Sequence, residues 1–474
     1  MPIQQSPFEA PSVYWETARG AARTMKGHAY QSYDVVIIGA GIMGLLTALI
    51  LNRRGKKVCI IDKGAIGSEA AGNNGGIVLD LMEGSPVKIA KRYRSSNGAE
   101  IVQKILSTSA KAVNDMRHLE RDYGIATEFK ATGYITVFKN GQARASYLGI
   151  RSFISKLLPK LYNQKNDTLL NQQQIGTDEY ASGIYSKIGG IYNPAITILS
   201  LLKKLHENSI AIFENTEITH LEAGIKSSVD IVAASGAVIN AKRVVLAGGA
   251  TYRLLKDVVG FVPPECVAAA MIATSPLPET LYQSMVSHIR PDVPIQSSET
   301  YSPPYWRFEE LPDGKKRLLF GAGGRAGANE RSEISNDVLK ELMRVFPVLT
   351  PYLNTEDERK RVIITNSWAR DQHFTENELP QFVLASPISK TLLPWPEIHN
   401  GMTKKEMPRA PIIGIFGLAG HGNAFSIRFA KIAAAMVMNE PWAYAEARVF
   451  SPEVTPMRPF GLRRLLSRLA AERS

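Results

Sequence analysis

The chain has 474 residues, 45% of them hydrophobic and 21% charged, which is ordinary globular composition and length enough for two or three packed domains. Its formal net charge is +12, but the basic residues are spread out and form no ladder with aromatics of the kind nucleic-acid grooves need, so no nucleic-acid partner is expected. Two cysteines, Cys59 and Cys266, and eight scattered histidines argue against a disulfide framework and against a metal site. Residues 1–30 lack an apolar core of signal-peptide length, and no run approaches the roughly 18 apolar residues of a membrane span, so a cytoplasmic protein is expected.

In chain order, residues 1–30 read as an irregular arm. Val35–Ile38 is short, wholly apolar and rich in β-branched residues, which suits a parallel strand buried on both faces. Gly39-Ala40-Gly41-Ile42-Met43-Gly44 follows, Leu45–Asn52 continues at helical spacing, and Val58–Ile61 reads as a second strand ending at Asp62, with Cys59 in its core. A glycine- and alanine-rich loop covers 64–76. Helical patterns at 98–123 and 142–158 flank a strand pair or one bent strand at 128–138. Asn193-Pro194 starts a helix predicted to end near 207. Strands are predicted at 211–223, 229–235 and 243–246, the last running into Ala247-Gly248. From 265 to 325 alternating strands dominate, with Pro312-Asp313-Gly314 marking a hairpin turn. A helix at 330–347, strands at 361–375 and 381–389, a Pro-rich loop at 391–411, a strand and turn at 412–423, and a helix at 424–438 complete the pattern before a basic tail, 446–474.

The glycine motif sits in a complete strand–turn–helix–strand–acid unit. Gly39 allows the tight turn, Gly41 admits a pyrophosphate to the backbone, and Gly44 lets helix and strand pack closely. Free N–H groups and the dipole at the helix N-terminus favour the anion. Asp62 can accept ribose hydroxyls and repel a 2′-phosphate. This predicts a bound dinucleotide without separating NAD from FAD. The loop Gly67–Val78 favours the flavin: it follows the acid directly and is packed with small residues and two asparagines. A flavin nucleotide running past the second strand needs that close backbone approach, and NAD does not.

At this loop the chain resembles the FAD-dependent family of glycine oxidase, sarcosine oxidase and D-amino-acid oxidase, and within it the branch of gamma-glutamylputrescine oxidase and related amine oxidases. The likeness rests on Asn74-Gly75-Gly76, on "PSVYWETA" ahead of the first strand, and on Asn193-Pro194. It extends through Val244–Ala250, the spacing of Trp368, Thr375 and Pro380, and the closing turn Gly417–Ser426, so that it covers almost the whole chain in order. It implies an α/β (α+β overall) fold in which a Rossmann-type FAD-binding domain, from 31–90, 190–260 and 361–445, interleaves with a substrate domain on a largely antiparallel sheet, from 91–189 and 261–360. Cofactor contacts are expected from Gly39, Gly41, Ile42, Met43, Gly44, Asp62 and Lys63; from Ser68, Ala71, Asn73, Asn74, Gly75 and Gly76; and from Ile218, Ala247 and Gly248. In the closing turn they are expected from Gly420, His421, Gly422, Asn423 and Ala424. There a helix N-terminus faces flavin N1 and O2 and stabilises the charge of the reduced ring.

Departures from the family carry the substrate reading. Amino-acid oxidases of the family place an arginine shortly after the tryptophan to clamp the substrate carboxylate; Gln372 stands there. A second clamping arginine in the closing turn is replaced by Gly422 and Asn423. Arg370, on the same strand face as Gln372, and Arg325 remain as substitutes. The catalytic candidates are therefore Gln372, Arg370 and His421, while His373 reads as structural. Tyr305 and Trp306 either wall the pocket or pack in the core. No cysteine stands at 368–380 and Cys266 is distant, so FAD is expected to be noncovalent.

The resemblance implies hydride transfer from an amine or amino-acid-like substrate to flavin N5, giving an imine that hydrolyses to a carbonyl compound, with oxygen or a quinone as acceptor. Competing readings are an amino-acid deaminase or opine dehydrogenase passing electrons to a quinone, with the basic tail as a weak membrane contact; a flavin-dependent tRNA-modification enzyme, suggested by the charge; and a catalytically silent flavin-binding scaffold.

Overall fold

The computed structural model describes residues 32–80, 86–93, 97–159, 167–286, 291–298, 303–326, 331–357, 360–399, 401–418, 420 and 422–456. The arm at 1–30 and the tail beyond 456 lie outside these residues, as does His421.

Two large sheets organise the chain. The first is built outward from Tyr33–Ile38, which pairs in parallel with Val58–Ile61 on one side and Val238–Ala247 on the other. Ala211–Phe213 extends it in parallel beyond Val58–Ile61, and Ile412–Phe416 in parallel beyond Val238–Ala247. Gln381–Ser386 and Thr391–Leu392 then add antiparallel at that edge. Ile218–Ala223 and Val229–Ala233 form an antiparallel flap on the long strand. The all-apolar reading of Val35–Ile38 holds because both faces are covered: Val35 and Ile37 join a core shared with the helices, and Val36 and Ile38 join a second core on the opposite face.

The helix Ile42–Arg53 is buried from Ile42 to Leu51, as befits a helix apolar on every side. It packs against Pro194–Glu207 and Gly422–Val437. Asn193 caps Pro194–Glu207, its side chain accepting from the Ile196 N–H, as Asn-Pro predicts.

The second sheet has the order Ile364–Phe374, Glu265–Thr274, Lys316–Ala326, Tyr305–Glu310, Ile295–Ser297, Tyr134–Phe138, Ser182–Ser186, Asp167–Asn171, antiparallel throughout except where Ile295–Ser297 meets Tyr134–Phe138. One face is packed by the helix Arg331–Val345. The other turns toward the glycine-rich loop, with Met271, Leu319 and Trp368 forming a small core there. A two-stranded ribbon, Ile77–Val78 with Gly190–Ile191, stands apart from both sheets.

Several boundaries differ from the sequence reading. The pattern at 98–123 breaks at His118 into Gly98–Arg117 and Leu119–Tyr123. The segment 128–138 yields one strand, Tyr134–Phe138, with Lys130 making an isolated bridge to Ile191. The last long helix starts at Gly422, two residues early. Sheet and core membership also cut across the expected boundaries at 91 and 361. Gly98–Arg117 packs on Gly422–Val437 within the first core, and Ile364–Phe374 belongs to the second sheet. Amphipathic spacing says that a face is buried, not against what.

Gly44 carries the tightest constraint in this unit: a Cβ there would stand 1.9 Å from the Gly39 carbonyl oxygen, where backbone cannot yield. Gly44→Ala is expected to cost about 3 kcal/mol, read by thermal denaturation. Gly141→Ala, at a helix start with open space around it, should fall within about 0.5 kcal/mol of wild type.

Candidate functional site

A cavity of about 310 Å³ opens where the two sheets meet. Its first wall is the glycine turn, Gly39 and Gly41 with Ile42 and Met43 behind them. Asp62, at the end of the second strand, reaches back to hold that turn: Oδ2 accepts from the Ala40 N–H at 2.7 Å and Oδ1 from the Gly64 N–H at 2.9 Å. Burial raises the Asp62 pKa above the ordinary carboxylate value, and the two N–H bonds oppose that rise. Lys63, exposed, and Ile218 continue the wall beside it. Ala247, Gly248 and the short helix Gly249–Leu255, which contributes an exposed Arg253, form a second wall.

The loop 67–76 is held through its carbonyls. Asn73, buried, donates to the carbonyls of Gly67, Ser68 and Glu69 at 2.8–2.9 Å. Asn74 donates to those of Ala70 and Ala71, and its Oδ1 accepts from the Gly76 N–H. The Ser68 hydroxyl closes a turn onto the Ala65 carbonyl. Donors from the second sheet complete the hold. Trp368 Nε1 reaches the Asn73 carbonyl at 3.0 Å, Arg370 Nε the Ser68 carbonyl at 2.7 Å, and Arg307 Nε the Gly75 carbonyl at 3.1 Å. Arg370 therefore shares a face with Trp368 and Gln372, as the alternation predicts, and there it braces the loop. Its Nη1 also donates to the Ala369 carbonyl at 2.7 Å.

Asp371, Gln372 and His373 line the cavity from the same strand. Burial lowers the His373 pKa to about 4, partly offset by Asp371 and reinforced by Arg253 and Lys63; the imidazole is neutral at pH 7 and meets Tyr252 edge-on at 5.3 Å. Cys266, opposite His373 in the neighbouring strand, is pushed up to about 11, by burial first and Asp371 second, so it stays a thiol. Of the two aromatic candidates, Trp306 is in the core, stacked on Phe320, and Tyr305 packs against the loop, 3.2 Å from where a Gly75 Cβ would stand. The Arg325 side chain lies outside the described residues, though its backbone pairs opposite Ala268.

The closing turn brings Gly420, Gly422 and Asn423 to the cavity. Asn423 spends both ends of its amide on protein: Nδ2 donates to the Ile77 carbonyl at 2.8 Å and Oδ1 accepts from the Tyr192 hydroxyl at 2.9 Å. Of the expected cofactor contacts, Ala71 and Asn74 also line the cavity, while Gly44, Ser68, Asn73, Gly75, Gly76 and Ala424 stand behind its wall. Sequence reasoning missed Arg307, Tyr192 and Arg253. An arginine between Trp306 and Phe308, and a tyrosine directly before Asn193-Pro194, were the available signals.

The family described as FAD dependent oxidoreductase matches residues 34–436. The chain belongs to this family. It is 24% identical over 360 residues to a probable oxidoreductase OrdL of Haemophilus influenzae, covering 75% of this chain and 76% of that one. It is 23% identical over 359 residues to the gamma-glutamylputrescine oxidoreductase of Escherichia coli, covering 74% and 76%. A crystal structure of glycine oxidase from Geobacillus kaustophilus superposes with a TM-score of 0.61 at 16% identity, covering 86% of this chain and 95% of that one, a likeness of fold.

FAD is thus the cofactor, and the residues present fit it. A Cβ on Gly41 would stand 3.3 Å from the Ala71 Cβ, closing the gap between turn and loop. The acid, the helix start and the closing turn border one cavity. Among the described residues no cluster of His, Cys, Asp or Glu could hold a metal ion, and no helix is long and apolar enough to cross a membrane.

Purified protein should be yellow, and Gly41→Val should lose its FAD, read as the flavin-to-protein absorbance ratio after gel filtration; stoichiometric flavin in the variant would remove the pyrophosphate from this turn. The depressed His373 pKa also gives a pH signature. The unfolded histidine binds a proton below about 6.5 and the folded one only below about 4, so its contribution is complete above about 6.5 and is lost as pH falls toward 4. Urea midpoints should fall over that window, and His373→Gln should flatten the fall.

Proposed function

We propose that the chain oxidises a C–N bond of an amine, with noncovalently held FAD as the hydride acceptor. The observation that carries this reading is the neutral Gln372 amide on the cavity wall where amino-acid oxidases of the resembling family carry an arginine. Arg370, two residues away, is committed to the Ser68 carbonyl. A buried carboxylate without a cationic partner costs several kcal/mol, so a substrate with a carboxylate on the reacting carbon is disfavoured at Gln372.

When bound, FAD supplies a two-electron acceptor for the hydride leaving the substrate carbon. The chain's residues do the rest by orientation. Trp368, Arg370 and Arg307 fix the loop against the second sheet, so that substrate held on the sheet side keeps a constant distance to the flavin. The Gln372 amide can both donate to and accept from a neutral amine. Neutral His373 adds no charge to repel an amine, and the start of the helix Gly422–Val437 offers N–H groups to negative charge at the ring. An amine bound unprotonated needs no strong base. The imine released hydrolyses in water to a carbonyl compound and ammonia or an amine, with oxygen or a quinone as terminal acceptor.

The similarity to a gamma-glutamylputrescine oxidoreductase supports a long amine bearing a distant carboxylate. Exposed Lys63 and Arg253, both on the cavity lining, are the described cations available to it. The test is kcat/KM for a matched pair, an amine and its α-carboxylated analogue, with peroxide and a quinone dye read in parallel. The amine is expected to win by tenfold or more, about 1.4 kcal/mol. A win for the acid would mean that a cavity cation clamps it. Arg253→Ala, raising KM for the acid alone, would identify that cation.

A further inference from the structure

We infer that Tyr192 is a positioning residue for the flavin, a hydroxyl that ties the glycine-rich loop to the start of the closing helix. Its side chain is buried and lies outside the cavity lining. Three directed contacts define its role. Asn74 Nδ2 donates to the Tyr192 hydroxyl at 3.2 Å, and the hydroxyl donates to Asn423 Oδ1 at 2.9 Å. The Tyr192 backbone N–H donates to the Gly76 carbonyl at 2.8 Å.

The direction of the chain is fixed at both ends. Asn423 Nδ2 donates to the Ile77 carbonyl, which leaves its Oδ1 as the acceptor facing the tyrosine. The Asn74 Oδ1 accepts from the Gly76 N–H, which turns its Nδ2 outward to the carbonyls of Ala70 and Ala71 and to the phenol. Asn74 Oδ1 stands as a second acceptor 3.4 Å from the hydroxyl. Deleting the hydroxyl leaves the Asn423 Oδ1 acceptor without this donor, while Asn74 Nδ2 keeps the carbonyls of Ala70 and Ala71.

What the tether joins gives it consequence. Asn74 lines the cavity from the loop, and Asn423 lines it from the first turn of Gly422–Val437. The ribbon of Ile77–Val78 with Gly190–Ile191 delivers Tyr192 to that junction in register. Resting on the reading that this helix start faces the flavin, the tether fixes how near its N–H groups stand to the ring's developing charge. Loosening it weakens stabilisation of the reduced flavin more than the oxidised, so the midpoint potential falls.

The test uses the FAD-loaded full chain. Tyr192→Phe is expected to keep FAD and to shift the two-electron equilibrium toward the oxidised form about tenfold, about 30 mV by redox titration. Asn423→Ala breaks the same bond from the other side, together with the bond to the Ile77 carbonyl, and is expected to shift it the same way by at least as much. The double variant should shift by less than the sum of the singles, because the Tyr192–Asn423 bond is lost in both. Tyr185→Phe is the control: its hydroxyl is also buried, donating to the Thr132 carbonyl at 3.0 Å, so it should lower the melting temperature comparably and leave the potential alone. A shift below threefold in folded, flavin-loaded Tyr192→Phe overturns the inference, as does additivity in the double variant or an equal shift in Tyr185→Phe. If Tyr192→Phe does not fold, a shift below threefold in folded, flavin-loaded Asn423→Ala overturns the inference. Wild type that takes up no FAD would instead sink the cofactor site itself, a distinct result.

Discussion

The capture of backbone carbonyls along the loop 67–76 is the constraint on which this molecule turns. A surface loop ordinarily gives its carbonyls to water. Here Asn73 and Asn74 satisfy those on their N-terminal side, Trp368, Arg370 and Arg307 reach in from the second sheet, and the Tyr192 N–H takes the last. Small residues between the asparagines let those donors approach. The loop is therefore seated on the second sheet, and the cavity is the space left beside it.

Asp62 does the same work with opposite polarity. It is an acceptor that gathers the Ala40 and Gly64 N–H groups, so the turn is shaped before any nucleotide arrives. Burial raises the Asp62 pKa and favours the neutral form, and those two bonds oppose that rise. Preorganisation of this kind spares the ligand the entropy of ordering the turn.

The local chemistry was legible in the sequence, and the long-range chemistry was not. The strand Val35–Ile38, the glycine turn, Asp62 and the Asn193 cap each depend on neighbours within a few residues or on a period, and the structure places them as read. The alternation of Ile364–Phe374 also put Trp368, Arg370 and Gln372 on one face. What alternation does not carry is the partner. Arg307 meets Gly75 across 232 residues, Trp368 meets Asn73 across 295, and Arg370 meets Ser68 across 302. Nothing in the spacing of an isolated arginine distinguishes a clamp for a ligand from a brace for a backbone carbonyl. The same gap holds for helix Gly98–Arg117, whose spacing shows its buried face and conceals that the partner is the helix Gly422–Val437.

Because the second sheet grips the short loop that borders the cavity, cofactor affinity and the integrity of that sheet are thermodynamically linked. A ligand that binds only the ordered loop stabilises the folded chain by about 2.7 kcal/mol at a hundredfold excess over its dissociation constant. The converse also follows. Damage to Arg307, on a strand whose neighbouring residues Trp306 and Phe308 serve the far core, registers as weakened flavin retention although the cavity lining is untouched. Excess flavin offsets such a loss by mass action, and every bound molecule reports on how well the second sheet holds the loop.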